Sequence, residues 1–299
     1  MAKILITGGT GLVGRHLSSR LHAQGHQVVH LSRSENSQST YPTYRWDIAT
    51  GYIDEKAMSG VDYIVHLAGA GVADKRWTDE RKQVILDSRT ESIRLLYKNV
   101  RDQSVQLKAF ISASAIGYYG ADTGSNLLDE ESAAGSDFLA EVVKQWESEA
   151  DRFKEICPVC KVRIGVVLDA DGGAMKEILK PINYYVGAPL GSGKQLMSWI
   201  HIDDLVSMFE YVIENQLTGT YNATAPNPVT NEALTKELAG VTGKPLWLPN
   251  VPAFVMKVIL GEMAQIVLGG SKVSSEKIRK AGFTFKFTQI EDAVKDLIG

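Results

Sequence analysis

Eight residues near the N-terminus, Thr7-Gly8-Gly9-Thr10-Gly11-Leu12-Val13-Gly14, restrict this chain more than any other segment. They follow a short apolar run, Lys3–Thr7, and open a stretch with helical spacing, Leu12–Ala23. Glycines at this spacing between a strand and a helix each have a physical task. The turn needs a residue without Cβ, a second glycine lets the backbone approach a pyrophosphate, and a third lets the helix pack tightly on the strand. The helix N-terminus then offers free N–H groups and a positive dipole end to the phosphates. Glycine spacing alone is a weak sign, because ordinary turns also use Gly-Gly. The strand–turn–helix context makes this a dinucleotide-binding loop, with Gly8, Thr10, Gly11, Leu12 and Gly14 as its candidate contacts.

The rest of the first two-thirds alternates in the same way. Gln27–Ser32, Tyr63–Leu67, Ala109–Ser114 and Val162–Leu168 read as strands, and Asp79–Arg101 and Asp137–Lys154 as helices with charged outer faces. Such alternation predicts an α/β fold, a doubly wound parallel sheet of the Rossmann type covered by helices on both faces. After Leu168 glycine-rich loops interrupt the pattern, a helix–strand return runs from Ile202 to Asn222, and a mostly helical region follows Pro226. The expected division is a cofactor domain of residues 1–168 plus 197–225, with a smaller substrate lobe of residues 169–196 plus 226–299.

Cofactor choice is read at the end of the second strand. Sites for NAD place an acidic residue there to bond the ribose 2′-OH. This chain has His30-Leu31-Ser32-Arg33-Ser34, with no carboxylate before Glu35. The forked guanidinium of Arg33 and the hydroxyl of Ser32 suit a 2′-phosphate, so NADP (NADPH) is the expected cofactor.

Of the 299 residues, 44% are hydrophobic and 22% charged, which supports a large core and argues against disorder. The net charge is −3 and no basic block stands out, so neither nucleic acid nor an anionic membrane is an expected partner. The apolar stretch Ala253–Leu268 carries Lys257 and Glu262 and is shorter than the roughly 20 residues of a membrane span. It reads as a buried amphipathic helix. The run Ile4-Leu5-Ile6 is too short for a secretory signal, and Cys157-Pro158-Val159-Cys160 leads into a strand rather than a helix, so both thiols are expected reduced. A cytoplasmic location is expected, and no His/Cys/carboxylate cluster suggests a metal.

The motifs together resemble the extended short-chain dehydrogenase/reductase superfamily, in its nucleotide-sugar epimerase branch. Thr7–Gly14 is similar to that superfamily's glycine loop, and Trp199-Ile200-His201-Ile202-Asp203-Asp204 to a segment ahead of a late helix. Lys75-Arg76-Trp77-Thr78, Gly191-Ser192-Gly193-Lys194-Gln195 and Asn222–Asn231 resemble more closely an atypical "epimerase family protein" group with a small C-terminal domain. The resemblance covers essentially the whole chain. It implies that Asp47 lies near the adenine, that Leu67, Ala68 and Gly69 end a strand beside the cofactor, and that Arg89 stands where a helix Asn would be expected. It also implies a substrate-orienting role for Ser114.

Active members of that superfamily use a Tyr as general acid/base and a Lys four residues on, whose charge favours the phenolate. In the matching segment, Phe138–Glu147, Leu139 takes the Tyr position and Val143 the Lys position. The standard dyad is absent. Tyr118 or Tyr119 is the candidate substitute acid beside Ser114, and lining the cleft is the alternative for each. Arg76 and Trp77 are read as pocket wall, His201 as a tie between loops, and Asp203 or Asp204 as a helix N-cap. Two functions therefore stand open. One is an NADP-dependent epimerase-like enzyme acting on a small molecule, a nucleotide sugar or a carbonyl compound. The other is a non-enzymatic NADP-responsive regulator or scaffold. A homodimer is open in either case.

The cofactor reading has a direct test. NADPH should bind the wild type more tightly than NADH, and Arg33→Ala should reduce that difference by about tenfold, the worth of about 1.4 kcal/mol. Calorimetry on both proteins checks it, and equal affinity of the wild type for the two cofactors would count against an Arg33 contact.

Overall fold

The computed structural model describes residues 1–34 and 39–299; Glu35, the carboxylate that follows Arg33, lies outside the described residues. The first strand, β1 (Lys3–Thr7), is apolar on both faces and is buried almost throughout, as a central parallel strand must be. Helix α1 (Leu12–Ala23) leads back to β2 (Gln27–Ser32), and then come β3 (Thr43–Asp47), β4 (Tyr52–Ile53) and β5 (Tyr63–His66). Helix α2 (Asp79–Asp102) carries the chain to β6 (Ala109–Ala115), and the short β7 (Leu127–Leu128) precedes α3 (Phe138–Asp151). Thr78 caps α2 and Asp137 caps α3, each accepting from a first-turn N–H.

Strands β8 (Val159–Ile164) and β9 (Val166–Asp169) follow, then α4 (Gly173–Asn183), β10 (Leu196–Met197), β11 (Trp199–His201), α5 (Ile202–Glu214) and β12 (Gly219–Ala223). The main sheet has the order β12-β8-β6-β5-β1-β2-β3-β4 and is parallel except for the β3–β4 edge pair. The chain winds outward from β1 to β3 and then returns to β5 on the other side. The two windings diverge at β1 and β5, the switch point where a doubly wound sheet opens a crevice at the strands' carboxyl ends. The α/β fold class expected from the alternation is the one observed.

Two of the expected elements are corrected. The single strand Val162–Leu168 is two strands. β8 belongs to the main sheet, whereas β9 pairs in parallel with β11 in a separate two-stranded sheet. The break falls at Gly165, where a Cβ would lie 2.4 Å from the Ser198 carbonyl oxygen and 2.8 Å from the Thr224 side chain. Another backbone crosses there, and only glycine admits it.

The second correction concerns 253–268. Helix α7 (Ala253–Leu260) buries no residue, and a 3₁₀ turn at Gly261–Met263 separates it from α8 (Ala264–Leu268). Gly261 at φ +61° ends α7. Phe254, Val258 and Ile259 are exposed, and burial is confined to Met263 and Ala264. Apolar residues all round a helix leave no stripe from which its buried face can be read.

Beyond β12 come β13 (Val229–Thr230), α6 (Asn231–Val241), α7, α8, β14 (Lys272–Val273), α9 (Glu276–Lys280) and α10 (Ile290–Ile298). A second core gathers Met175 and Ile182 of α4, Trp199 of β11, Leu234 and Leu238 of α6, and Ala293 and Val294 of α10. Ile278, Phe283 and Phe285 instead join the core of the main sheet. Among the described residues, no helix is long and apolar enough to cross a membrane.

Asp204 is not an N-cap. It lies in the first turn of α5, where its carboxylate accepts from the backbone N–H groups of Lys286 at 2.8 Å and Phe287 at 2.9 Å. Nor is Asp203 the cap: that place belongs to His201, whose Nδ1 accepts from the Asp203 N–H at 3.1 Å while its ring stacks on Phe287. Burial raises the Asp204 carboxyl, against the pull of these two N–H groups. Asp204→Ala leaves both donors without a partner and should cost about 2–3 kcal/mol. Thermal denaturation reads the loss, and faster hydrogen exchange should appear at Lys286 and Phe287.

Candidate functional site

The glycine loop is closed to side chains by its neighbours. Gly8 sits at φ +71°, and a Cβ there would lie 3.0 Å from the Leu67 carbonyl and the Ala68 nitrogen. A Cβ on Gly14 would fall 2.2 Å from the Gly8 oxygen, so the start of α1 rests directly on the loop. Gly11 is the N-cap of α1, its N–H donates to the Gly8 oxygen at 3.0 Å, and no side chain caps the helix. The first-turn N–H groups therefore remain free to meet an anion. Thr7 Oγ1 accepts from Leu67 and Ala68, both at 3.2 Å, which draws the end of β5 against the loop. Thr7–Gly14 and Leu67–Gly69 are thus brought together.

Beneath the loop lies a histidine that sequence reasoning passed over. His30 Nε2 bonds Ser18 Oγ at 2.8 Å, and its ring occupies the space a Cβ on Gly9 would need, at 2.5 Å. Burial lowers its pKa, so it packs as a neutral ring. Only the tight contact with Gly9 marks it, and spacing along the chain does not show that contact. At the end of β2, Ser32 is half-buried and Arg33 exposed. Asp47 ends β3, its Oδ1 accepting from Ala49 N–H at 3.0 Å.

On the other side of β5 a buried polar network surrounds Ser114. Its hydroxyl donates to Glu147 Oε1 at 2.7 Å. Arg163 of β8 grips the same carboxylate through Nε at 2.7 Å and Nη2 at 3.0 Å. Arg163 Nη1 also donates to the Tyr119 hydroxyl at 3.0 Å, and that hydroxyl donates to Asn222 Oδ1 at 2.7 Å. Burial pushes the Tyr119 phenol up to about 12, despite the opposing guanidinium. Tyr119 is therefore occupied on both sides. Tyr118 differs: its ring centroid lies 3.4 Å from the Arg163 guanidinium carbon, and it is only half-buried.

The 3₁₀ turn Ile116–Tyr119 that carries both tyrosines packs on α3. A Cβ on Gly117 would meet Leu139 at 3.6 Å and Val143 at 4.0 Å, so these two apolar side chains face the turn. Arg89 of α2 is held under the loop after β5, donating to the Ala70 oxygen at 3.1 Å and the Ile85 oxygen at 2.8 Å. Trp77 is buried edge-on against Phe138 and forms an apolar wall with Ile85, Val142 and Met263. Arg76 lies beside Gly261, and Lys82 pairs with Glu262 at 2.5 Å. The 3₁₀ turn after α7 thereby closes over this wall.

Cys157 and Cys160 are free and buried, and burial pushes their thiols up to about 11 and about 12. Neither is poised as a nucleophile. Among the described residues, no group of three or more His, Cys, Asp or Glu side chains is arranged to hold a metal ion.

Residues 4–141 match the NAD dependent epimerase/dehydratase family, and residues 251–297 match the Domain of unknown function (DUF1731). The chain is 36% identical over 303 residues to the chloroplastic homolog of epimerase family protein SDR39U1 from Arabidopsis thaliana, covering 99% of this chain and 86% of that one. It is 34% identical over 299 residues to epimerase family protein YfhF of Bacillus subtilis, covering 99% and 97%. A crystal structure of human epimerase family protein SDR39U1 (isoform2) with NADPH superposes at TM-score 0.88 and 30% identity over 99% of both chains. UDP-glucuronic acid 4-epimerase from Bacillus cereus, in complex with UDP-glucuronic acid and NAD, shares the fold at TM-score 0.80 and 17% identity, covering 99% and 98%.

The Glu147 network predicts a pH dependence. Burial alone would raise this carboxyl, but Arg163, Ser114 and Lys161 outweigh it and hold it below the ordinary glutamate range. A depressed carboxyl adds stability above its unfolded value of about 4.3, and that stability is lost as pH falls through the folded value. Glu147→Gln should therefore cost about 3–5 kcal/mol at pH 7, because Arg163 stays buried and charged. Denaturant titrations should show the gap from wild type narrowing as pH drops below about 4.3. A gap of constant size down to pH 3 would remove Glu147 from this account.

Proposed function

Because the chain belongs to the epimerase family proteins, a group within the NAD dependent epimerase/dehydratase family, we propose that it binds NADP(H) in the crevice between β1 and β5 and takes a small molecule beside it. The observation that carries this reading is the glycine loop. Side chains are excluded at Gly8 and Gly14, and an uncapped helix N-terminus opens beside them. Such a cradle suits an anion that approaches the backbone closely, as a pyrophosphate does. Ser32 and Arg33 at the end of β2 suit the 2′-phosphate, in agreement with the NADPH in the human relative. Asp47 would stand on the adenine side and Gly69 with Arg89 on the nicotinamide side.

When bound, the dinucleotide supplies reversible hydride exchange with a carbonyl or alcohol carbon, so a carbonyl compound or nucleotide sugar is the substrate class. The substrate lobe in this reading is residues 169–196 with 226–299. Ser114 would orient the substrate oxygen, and the state of its hydrogen decides how. Glu147 is held ionised and can only accept, so the Ser114 proton is committed to it and the hydroxyl lone pairs face outward. It would accept from a substrate hydroxyl rather than donate to a carbonyl. Leu139 and Val143 offer no proton, and Tyr119 is locked. Proton donation therefore falls to Tyr118. Two free, buried thiols suit a reducing compartment such as the cytoplasm.

The second reading, a non-enzymatic NADP-responsive regulator, is favoured by the same two locked hydroxyls, since a site built for turnover needs mobile protons. Calorimetry with NADPH tests the shared premise. The wild type should bind, and folded Gly11→Val, which covers the helix N-terminus, should lose at least about 100-fold in affinity, or about 2.7 kcal/mol. A carbonyl and nucleotide-sugar screen then separates the two readings. On any substrate found, Tyr118→Phe should lower kcat by about 100-fold or more and Tyr119→Phe should not. Full turnover by Tyr118→Phe would overturn the assignment of Tyr118.

A further inference from the structure

The course of the cofactor follows from the strand order. Its 2′-phosphate lies after β2 and its pyrophosphate after β1, so its nicotinamide end extends the other way, over β5 and β6. Arg89 stands on that side. A Cβ on Gly69 would come within 3.1 Å of its guanidinium carbon, and the guanidinium lies over the Trp146 ring at 5.0 Å. Two carbonyl oxygens and an aromatic face hold it, and among the described residues no carboxylate pairs with it. The one other charge acting strongly on it is a second cation, Arg81. Arg81 Nη2 donates to the Gly71 oxygen at 2.6 Å and reaches the exposed Asp74 carboxylate at 3.5 Å, and its Nε is buried without a partner. Burial, then Arg81, lowers the pKa of Arg89 to about 10, which leaves it charged at neutral pH.

A half-buried guanidinium without a counter-ion is costly, and such a charge acts on whatever enters the crevice. The oxidised nicotinamide ring carries a positive charge and the reduced ring is neutral, whereas the rest of the dinucleotide is the same in both. We propose that Arg89 makes this site selective for the reduced cofactor, so that occupancy of the protein follows NADPH rather than the total NADP pool. This rests on the NADP(H) binding proposed above and adds the redox state that is bound. Repulsion between two like charges in a crevice of intermediate dielectric suffices for about a tenfold preference. A tenfold tighter grip on the reduced form raises the potential of the bound two-electron couple by about 30 mV. The bound cofactor becomes a weaker reductant than the free one.

Titrations of the wild type, Arg89→Met and Arg89→Lys with NADPH and with NADP⁺ test this, with folding checked by circular dichroism. The wild type should bind NADPH about tenfold more tightly, Arg89→Met should bring the ratio to about 1–2, and Arg89→Lys should keep most of it. If Arg89→Met does not fold, Arg89→Gln, which retains a donor toward the Ala70 oxygen, is read in the same way. Equal affinity of the wild type for the two forms overturns this inference and leaves NADP(H) binding standing, as does an unchanged ratio in the neutral variant. Failure of the wild type to bind either form overturns the NADP(H) reading and this inference with it.

Discussion

The Arg163–Glu147 pair is the contact on which the buried polar network around Ser114 depends. Strand β8 carries the guanidinium and α3 the carboxylate, and both side chains are almost completely removed from solvent. Neither charge is tolerable there alone. Together they leave lone pairs and protons that other elements must satisfy. Ser114 reaches in from β6, Tyr119 from the 3₁₀ turn, and Lys161 from the next outward position on β8. Asn222 extends the network to β12 and donates on to the Ser274 oxygen, so the C-terminal segment is tied to the same pair. One ion pair thus fixes the relative positions of five elements around the crevice.

The cofactor side is organised on a different principle. Its geometry comes from backbone, through the Gly8 turn, the Gly11 cap and the Thr7 hydroxyl that holds Leu67 and Ala68. Backbone N–H groups bind phosphate whatever the neighbouring side chains are, which lets this half keep its chemistry while the other half changes. The contrast fits a chain in which the glycine loop is intact while Leu139 and Val143 stand on α3 where the family resemblance implies a Tyr and a Lys.

This division also governs what the sequence disclosed. The strands beside the switch point were legible because a buried parallel strand is a nearly continuous apolar run, as in β1 and β2. The glycine loop was legible because it is local, all its parts lying within eight residues. Ser114, Glu147, Arg163 and Asn222 meet only across the fold, with separations of 16 to 103 residues among the bonded pairs of the network. No spacing rule reaches that far, so Arg163 went unnoticed and Tyr118 and Tyr119 could not be told apart. The split at Gly165 and the exposure of α7 were hidden for the same reason. Both depend on what packs nearby, on Ser198 in one case and on nothing buried in the other.

On the proposed reading, the charge around the nicotinamide half has moved from one helix to another. The family resemblance implies a lysine on α3 where Val143 packs against the Gly117 turn, a cation that would serve both the phenol and the ribose. Here the cation on the nicotinamide side is Arg89 of α2, while the cation beside the two tyrosines is Arg163 of β8, already paired with Glu147. A cation beside a phenol makes it a better acid. A cation beside the nicotinamide alone makes no acid and acts on the ring's redox state instead. On that reading Arg89 serves selectivity between the two forms of the cofactor and not proton transfer. The locked Ser114 and Tyr119 hydroxyls bear on the same point, because a carbonyl that takes hydride from the reduced dinucleotide becomes an alkoxide in need of a proton, and on the proposed reading only Tyr118 is left to give it.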